Sequence, residues 1–242
     1  MENQSIYKDK ELAKYYDLIY SWKDYKKEVE KIIKLIIKYK KSKGKNLLEV
    51  ACGTGHHLQY FKDKFSCFGT DISEGMLAVA KNKIPSVKFK KANMIDFRLK
   101  EQFDVITCLF SSIGYVKTHE NLRKTINNFV LHLKQGGVVI IEPWFTKSAY
   151  KPGFPHMTKY ESKELKIARL CVSKVKGNIS IMDMNYLVAE KDKGVKYFVD
   201  RHELGMFEVN ETLKIMKDAG LKAKFLKNGL MKDRGLFIGI KK

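Results

Sequence analysis

Residues Leu47-Leu48-Glu49-Val50-Ala51-Cys52-Gly53-Thr54-Gly55 decide the fold. The apolar run around Glu49 reads as a short buried strand. Two glycines one residue apart then make a turn, and a helix to about Phe61 follows. A glycine pair at a strand-to-helix turn lets the backbone approach a ligand closely, because no Cβ intrudes. A dinucleotide fingerprint would need a third glycine where Leu58 stands, and the Gly-Lys-Ser/Thr of a phosphate-binding loop is missing. Glu49 would repel a pyrophosphate; it suits a cationic ligand.

Outward from this stretch, strands and helices alternate. Residues 9–20 and 24–41 read as two helices, the second carrying Val29, Ile32, Ile33, Ile36 and Ile37 at helical spacing until Gly44 breaks it. Cys67–Thr70 is a strand ending at Asp71, and Ser73 caps a helix that contains Met76, Leu77, Val79 and Ala80. Val87–Phe89 and Phe103–Cys108 are strands. Residues 119–134 form a helix that Gly136-Gly137 end, and Val138–Glu142 is the fifth strand. Five alternations predict a parallel sheet with helices on both faces. After Pro143 the period changes. Residues 165–175, 179–190 and 195–207 read as longer strands, with turns at Lys176-Gly177-Asn178 and Asp192-Lys193-Gly194. They predict an antiparallel sheet inserted into the α/β core. The core resumes with a helix over Glu208–Ala219, closed by Gly220, and a hairpin of Lys222–Leu226 and Leu236–Ile240. Three regions are expected: 1–145 for the first helices and the cofactor core, 146–207 for the insertion, and 208–242 to complete the core.

With 44% hydrophobic residues, the 242-residue chain can build a packed core. Its net charge of +20 raises nucleic acid as a partner. However, only Arg98, Arg123, Arg169, Arg201 and Arg234 are arginines, leaving 42 lysines spread along the chain. Dispersed lysine fits a solvated surface better than a phosphate-reading face, so an RNA methyltransferase is the weaker alternative. The longest plainly apolar run, Val138–Ile141, is far short of a membrane span, and MENQSIYKDK shows no signal peptide. A cytoplasmic protein without a membrane partner is expected. Cys52, Cys67, Cys108 and Cys171 have no metal or redox spacing, so no metal is expected and reduced thiols are.

Two further features join Glu49 and the glycine loop. Asp71 stands at the end of the second strand, where α/β nucleotide folds place a carboxylate on ribose hydroxyls. Asn93-Met94-Ile95-Asp96 follows the third strand; Asn93 can accept from an adenine amino group and Met94 can cover the ring. Together they imply a nucleoside cofactor with a cationic tail, S-adenosylmethionine. LLEVACGTG, GTDIS and NMIDF resemble the motifs of class I S-adenosylmethionine-dependent methyltransferases. The resemblance implies strand order 3-2-1-4-5-7-6, Asp71 on the ribose, and the Ala51–Gly55 loop, with Gly53, around the methionine portion. It also implies adenine contacts at Ile72, Met76, Asn93 and Met94. Trp22, Glu49 and Leu109 complete the expected cofactor contacts.

The acceptor is read from the rest of the chain. Cys108-Leu109-Phe110-Ser111-Ser112-Ile113-Gly114-Tyr115 lacks the Asp/Asn-Pro-Pro-Tyr/Phe signature of enzymes that methylate base amines. Tyr16-Asp17-Leu18-Ile19, Cys108–Gly114, Glu142-Pro143-Trp144 and Arg234–Gly239 together resemble the TDP-3-amino-sugar N,N-dimethyltransferases of the desosamine and mycaminose type, over nearly the whole chain and including Arg169 and Tyr186. That family has histidine where this chain has Tyr115, and a tyrosine with a pKa near 10 is a poor base at neutral pH. The resemblance implies N-methylation of a TDP-linked amino sugar and a homodimer. Another small amine, an amino acid or polyamine, is the alternative. Tyr16, Tyr115, Glu142 and His202 are the candidate catalytic residues. Trp144, Arg169, Tyr186 and Arg234 are the candidate substrate contacts, the arginines for the diphosphate.

Overall fold

The structure, a computed structural model, describes residues 10–242. Helices α1 (Lys10–Ile19) and α2 (Tyr25–Tyr39) come first; Asp9, the expected start of the first helix, lies outside the described residues. Asp24 caps α2 by accepting the Lys27 N–H at 2.9 Å. Strands β1 (Asn46–Val50), β2 (Ser66–Asp71), β3 (Lys88–Lys91), β4 (Phe103–Cys108) and β5 (Leu133–Ile141) then alternate with α3 (Leu58–Phe61), α4 (Glu74–Lys83) and α5 (His119–His132). Next come β6 (Pro155–Glu161), β7 (Leu165–Val172), β8 (Lys174–Lys176), β9 (Ile179–Glu190) and β10 (Gly194–Gly205). Helix α6 (Val209–Asp218), β11 (Leu221–Leu226) and β12 (Leu236–Lys241) finish the chain.

The first sheet runs β3-β2-β1-β4-β5-β12-β11. Its first five strands are parallel, and β12 and β11 add to it antiparallel. This is the expected order. Successive side chains point to opposite faces, so the two faces bury different sets. Leu48, Val50, Ile106 and Val139 pack with Leu122, Ile126 and Phe129 of α5 and with Ile215 and Met216 of α6. Leu47, Val105, Val138 and Ile140 pack with Val29, Ile32 and Ile36 of α2. Each fully buried Leu or Ile contributes about 1.5–3 kcal/mol relative to an exposed one, which is why β4 is buried at all six positions.

The second sheet, β10-β9-β7-β6 with β8 beside β9, is antiparallel. Its period-two pattern sorts two faces. Arg169, Tyr186, Phe198, Asp200 and His202 turn inward. Met157, Leu170, Val172, Leu187 and Tyr197 stay exposed. Helix α1 packs Tyr15 and Ile19 against Ile167, Tyr186 and Val188 of the inner face.

Several boundaries differ from the sequence expectation. Helix α5 ends at His132 because Leu133 already pairs with Phe103 in the sheet. The Gly136-Gly137 pair lies inside β5, and the Gly136 carbonyl accepts the N–H groups of Lys41 and Ser42 at 2.7 and 3.0 Å, holding the exit of α2. The helix after the glycine loop is a single turn. The expected strand 165–175 is interrupted at Ser173, dividing it into β7 and β8. Strand β6 has no counterpart in the sequence reading: it is a mostly exposed edge strand, so its residues carry no buried alternation.

Candidate active site

The carboxyl ends of β1, β2 and β4 frame the site. Just past β1, Ala51 and Gly53 turn with φ of 54° and 55°, and Gly55 with 78°. A Cβ on Gly53 would point into open space, whereas one on Gly55 would meet Ile84 Cδ1 at 3.0 Å. Gly53 therefore leaves room for a ligand, and Gly55 leaves room for the protein itself. Asp71 ties this turn to the one after β2: Oδ2 accepts the Gly53 N–H at 2.8 Å and Oδ1 the Ser73 N–H at 2.9 Å. Burial raises its pKa, against the pull of these N–H groups. Ser73 in turn caps α4 by accepting the Met76 N–H at 3.2 Å.

A cavity of about 310 Å³ opens beyond Asp71, lined also by Ala51, Ile72, Asn93, Met94, Ser112 and Tyr115. It is apolar along Ile72 and Met94, as a flat ring requires. Asn93 Oδ1 already accepts the Ile95 N–H at 3.1 Å, so the residue also shapes its own turn. Two expected contacts fall outside. Met76 is fully buried in the core, because the α4 face that carries it packs inward. Trp22 is 61% exposed beside Tyr20 and lines neither cofactor-side cavity.

A smaller cavity joins at Ala51 and Ser112. Tyr16, Glu49, Gly53, His57, Leu109 and Phe110 line it. Glu49 is almost wholly buried; Oε1 lies 3.1 Å from His57 Nδ1, while Oε2 has no hydrogen-bond partner. An orphaned buried carboxylate oxygen beside an open glycine turn fits the ammonium of an amino-acid tail. Sequence reasoning missed His57, which is held between Glu49 and Glu28, its Nε2 2.9 Å from Glu28 Oε2. Burial opposes its charge, but hydrogen bonds to both carboxylates outweigh it and raise its pKa to about 9. Lys23 also pairs with Glu28. Asp17, which the sequence offers only as part of a motif, pins α1 to the loop. It accepts from Thr54 Oγ1 at 2.6 Å, Lys83 Nζ at 2.6 Å and His56 Nε2 at 2.9 Å. These contacts hold its pKa below the usual range despite burial.

An outer cavity of about 660 Å³ lies between the two sheets, lined by Trp144, Phe145, Tyr150, Arg169, Met182 and Arg234 among others. The Arg234 guanidinium carbon sits 4.5 Å from the Trp144 ring centroid and 4.9 Å from that of Phe145. Its Nη1 donates to Ser111 Oγ at 3.0 Å, and its buried Nε has no partner. Arg169 donates to the Tyr20 hydroxyl at 3.0 Å and to Thr158 Oγ1 at 3.2 Å.

Two expected contacts are instead supports. Tyr186 is 1% exposed, stacks on Phe198 at 4.7 Å and sits beneath Arg169, so a substrate cannot reach it. Glu142 is completely buried, and burial raises its pKa. Its Oε2 accepts the Phe110 N–H at 2.7 Å, holding Phe110 and Ser111, whose φ values are 50° and 61°. Two of the other catalytic candidates meet directly: the Tyr115 hydroxyl lies 2.7 Å from His202 Nδ1. Tyr115 lines the inner cavity and packs against Cys171, Met182 and Leu204, of which Cys171 and Met182 line the outer one. It thus lines the inner cavity and backs the wall of the outer one.

Comparison with known proteins fits this geometry. Residues 47–137 match the model of a methyltransferase domain. The chain is 36% identical over 231 residues to the dTDP-3-amino-3,4,6-trideoxy-alpha-D-glucopyranose N,N-dimethyltransferase of Streptomyces venezuelae, covering 94% of this chain and 97% of the relative. It is 35% identical to the dTDP-4-amino-2,3,4,6-tetradeoxy-D-glucose N,N-dimethyltransferase of Saccharopolyspora spinosa, covering 99% and 96%. Among solved structures it is similar to CalS10, an amino pentose methyltransferase from Micromonospora echinaspora with S-adenosylmethionine bound. That match has a TM-score of 0.83 and 26% identity, and covers 100% of both chains.

Proposed function

Because this chain belongs to the family of the dTDP-amino-sugar N,N-dimethyltransferases, which are S-adenosylmethionine-dependent enzymes, we propose that it methylates the amine of a TDP-linked amino sugar. The observation that carries this reading is the outer cavity. Its two arginines and its wall of aromatic rings suit a diphosphate and a flat base. A simple amine would leave both arginines without a phosphate to bind.

When bound, S-adenosylmethionine supplies an electrophilic methyl group on a sulfonium, which an amine takes in line while the electron pair of the broken bond stays on sulfur. The residues assigned to hold it are Glu49 on the ammonium, Asp71 on the ribose, and Ile72, Asn93 and Met94 around the adenine, with Gly53 and Leu109 in the wall. Tyr16 closes the methionine end from α1. Arg169 and Arg234 anchor the diphosphate and Trp144 stacks on the nucleotide, fixing the amine beside Tyr115. Alignment of this kind supplies about 7–11 kcal/mol of barrier reduction in well-oriented systems, so a strong base is not required for turnover. Residues 10–145 and 208–242 carry the cofactor site, and residues 146–207, with Trp144 and Arg234 from outside them, form the acceptor side.

Thymidine diphosphate alone tests the outer cavity. Calorimetry is expected to show binding that Arg234→Ala and Arg169→Ala each weaken. Equal affinity in wild type and both variants would remove the nucleotide from that cavity. The proposed protein partner is a second copy of the chain, through the exposed sheet face of Leu170, Val172, Leu187 and Tyr197. Sedimentation equilibrium should show a dimer that Leu187→Lys dissociates, and a monomeric wild type would contradict it. No helix among the described residues is long and apolar enough to cross a membrane.

A further inference from the structure

The hydrogen bond from Tyr115 to His202 continues inward. Nε2 of His202 lies 2.7 Å from Oδ2 of Asp200. Asp200 and His202 are two residues apart on β10, so both side chains project from its inner face. The Asp200 side chain is completely buried, and that of His202 is one-tenth exposed. A path of polar atoms thus leads from the wall of the inner cavity to a buried carboxylate. With Nδ1 accepting the phenolic proton of Tyr115, the neutral ring carries its proton on Nε2, the nitrogen within ion-pair distance of the Asp200 carboxylate.

We propose that Tyr115, His202 and Asp200 form a relay that takes a proton from the ammonium form of the acceptor, with Asp200 as its positioning residue. This rests on the amine reading above. An ammonium has no lone pair to give, so one proton must leave before the methyl group can be accepted. Tyrosine alone is a poor acceptor at neutral pH. Backed by His202 it need not become a phenolate. As the ammonium proton reaches Tyr115 Oη, the Oη proton passes to His202 Nδ1. The products are a neutral amine, a neutral tyrosine and an imidazolium facing the Asp200 carboxylate, so charge and protons balance. His202 then returns the proton to water at its exposed edge. A carboxylate behind an imidazole fixes ring tautomer and orientation and stabilises the imidazolium.

The other titratable groups that face the chain are two phenols and the thiol of Cys171, which packs against Tyr115 and whose pKa burial raises. Tyr16 of α1 faces Tyr115, and Tyr186 of β9 faces Asp200. Burial pushes both pKa values up, so neither competes for the proton.

The test uses the full-length protein and two readouts. Nitrogen-15 NMR of labelled histidine reads the tautomer of His202, assigned with His202→Gln. The wild type should show the Nε2–H form, and both Asp200→Asn and Tyr115→Phe should shift the His202 titration. Turnover of TDP-amino sugars against pH is the second readout. Asp200→Asn and Tyr115→Phe should each lower kcat about a hundredfold near neutral pH, with little change in KM. The deficit should shrink as pH rises and free amine becomes abundant. Asp200→Glu should recover part of the rate. Should Asp200→Asn not fold, Tyr115→Phe, which removes a single hydroxyl, decides alone. A deficit equal at every pH, or an unchanged His202 titration in both variants, overturns the relay. A wild-type protein that methylates no amine overturns the functional reading itself.

Discussion

Nδ1 of His57 lies 3.1 Å from Oε1 of Glu49, with the His57 side chain 7% and the Glu49 side chain 2% exposed. The imidazole is therefore a charge partner built into the wall of the methionine-side cavity. With Glu28 on its other nitrogen, it is a cation between two carboxylates at neutral pH. With Lys23 also on Glu28, the two acids are balanced, and what an incoming ammonium meets is the buried Oε2 of Glu49, which has no hydrogen-bond partner.

A pKa of about 9 at His57 makes stability depend on pH. The folded value lies above the ordinary histidine value near 6.5. The stabilisation is therefore complete below about pH 6.5 and is lost as pH rises through about 9. A tenfold change in proton affinity is worth about 1.4 kcal/mol, which places the effect on the order of 3 kcal/mol. Urea midpoints should fall between those pH values in the wild type and change less in His57→Gln. Parallel curves for the two proteins would contradict the assignment.

Asp17 ties α1 to Thr54 of the loop and to Lys83 of α4. Asp17→Ala should therefore loosen α1 over the cofactor cavity. We expect roughly tenfold weaker binding of S-adenosylhomocysteine, equivalent to about 1.4 kcal/mol, together with faster proteolysis within α1. Unchanged affinity in a folded variant would show that α1 does not help to hold the cofactor.

Much of this architecture is legible in the sequence because it is periodic. Leu47–Gly55, Asp71 and Ser73 sit at strand ends whose positions follow from hydrophobic spacing, and Gly53-Thr54-Gly55 after an apolar strand reads as a turn, whereas Gly136-Gly137 lies inside β5. What escapes has no local signature. Met76 follows the GTDIS motif and Trp22 follows Tyr16–Ile19 in the sequence, yet tertiary packing turns one into the core and the other to solvent. Glu142 and Tyr186 lie beneath the site and act through Phe110 and Arg169. Asp200-x-His202 is readable as a same-face pair on a strand, but only the fold places it behind Tyr115.

Anchoring and chemistry separate at Arg234, which lies over Trp144 and Phe145 and donates to Ser111. Arg234→Ala should raise the KM for the nucleotide sugar about tenfold or more while kcat falls less. Arg234→Lys should recover only part of the loss, because an ammonium cannot repeat the planar fork. Unchanged kinetics in Arg234→Ala would reject the phosphate role.

Methyl transfer to a TDP-linked amino sugar is tested most directly by mass spectrometry of the products formed with S-adenosylmethionine. TDP-3-amino sugars, TDP-4-amino sugars and simple amines are offered side by side. A TDP-amino sugar is expected to gain the mass of one or two methyl groups while the simple amines stay unmodified. A protein that binds the cofactor, leaves every TDP-amino sugar unchanged and methylates a simple amine would contradict this assignment.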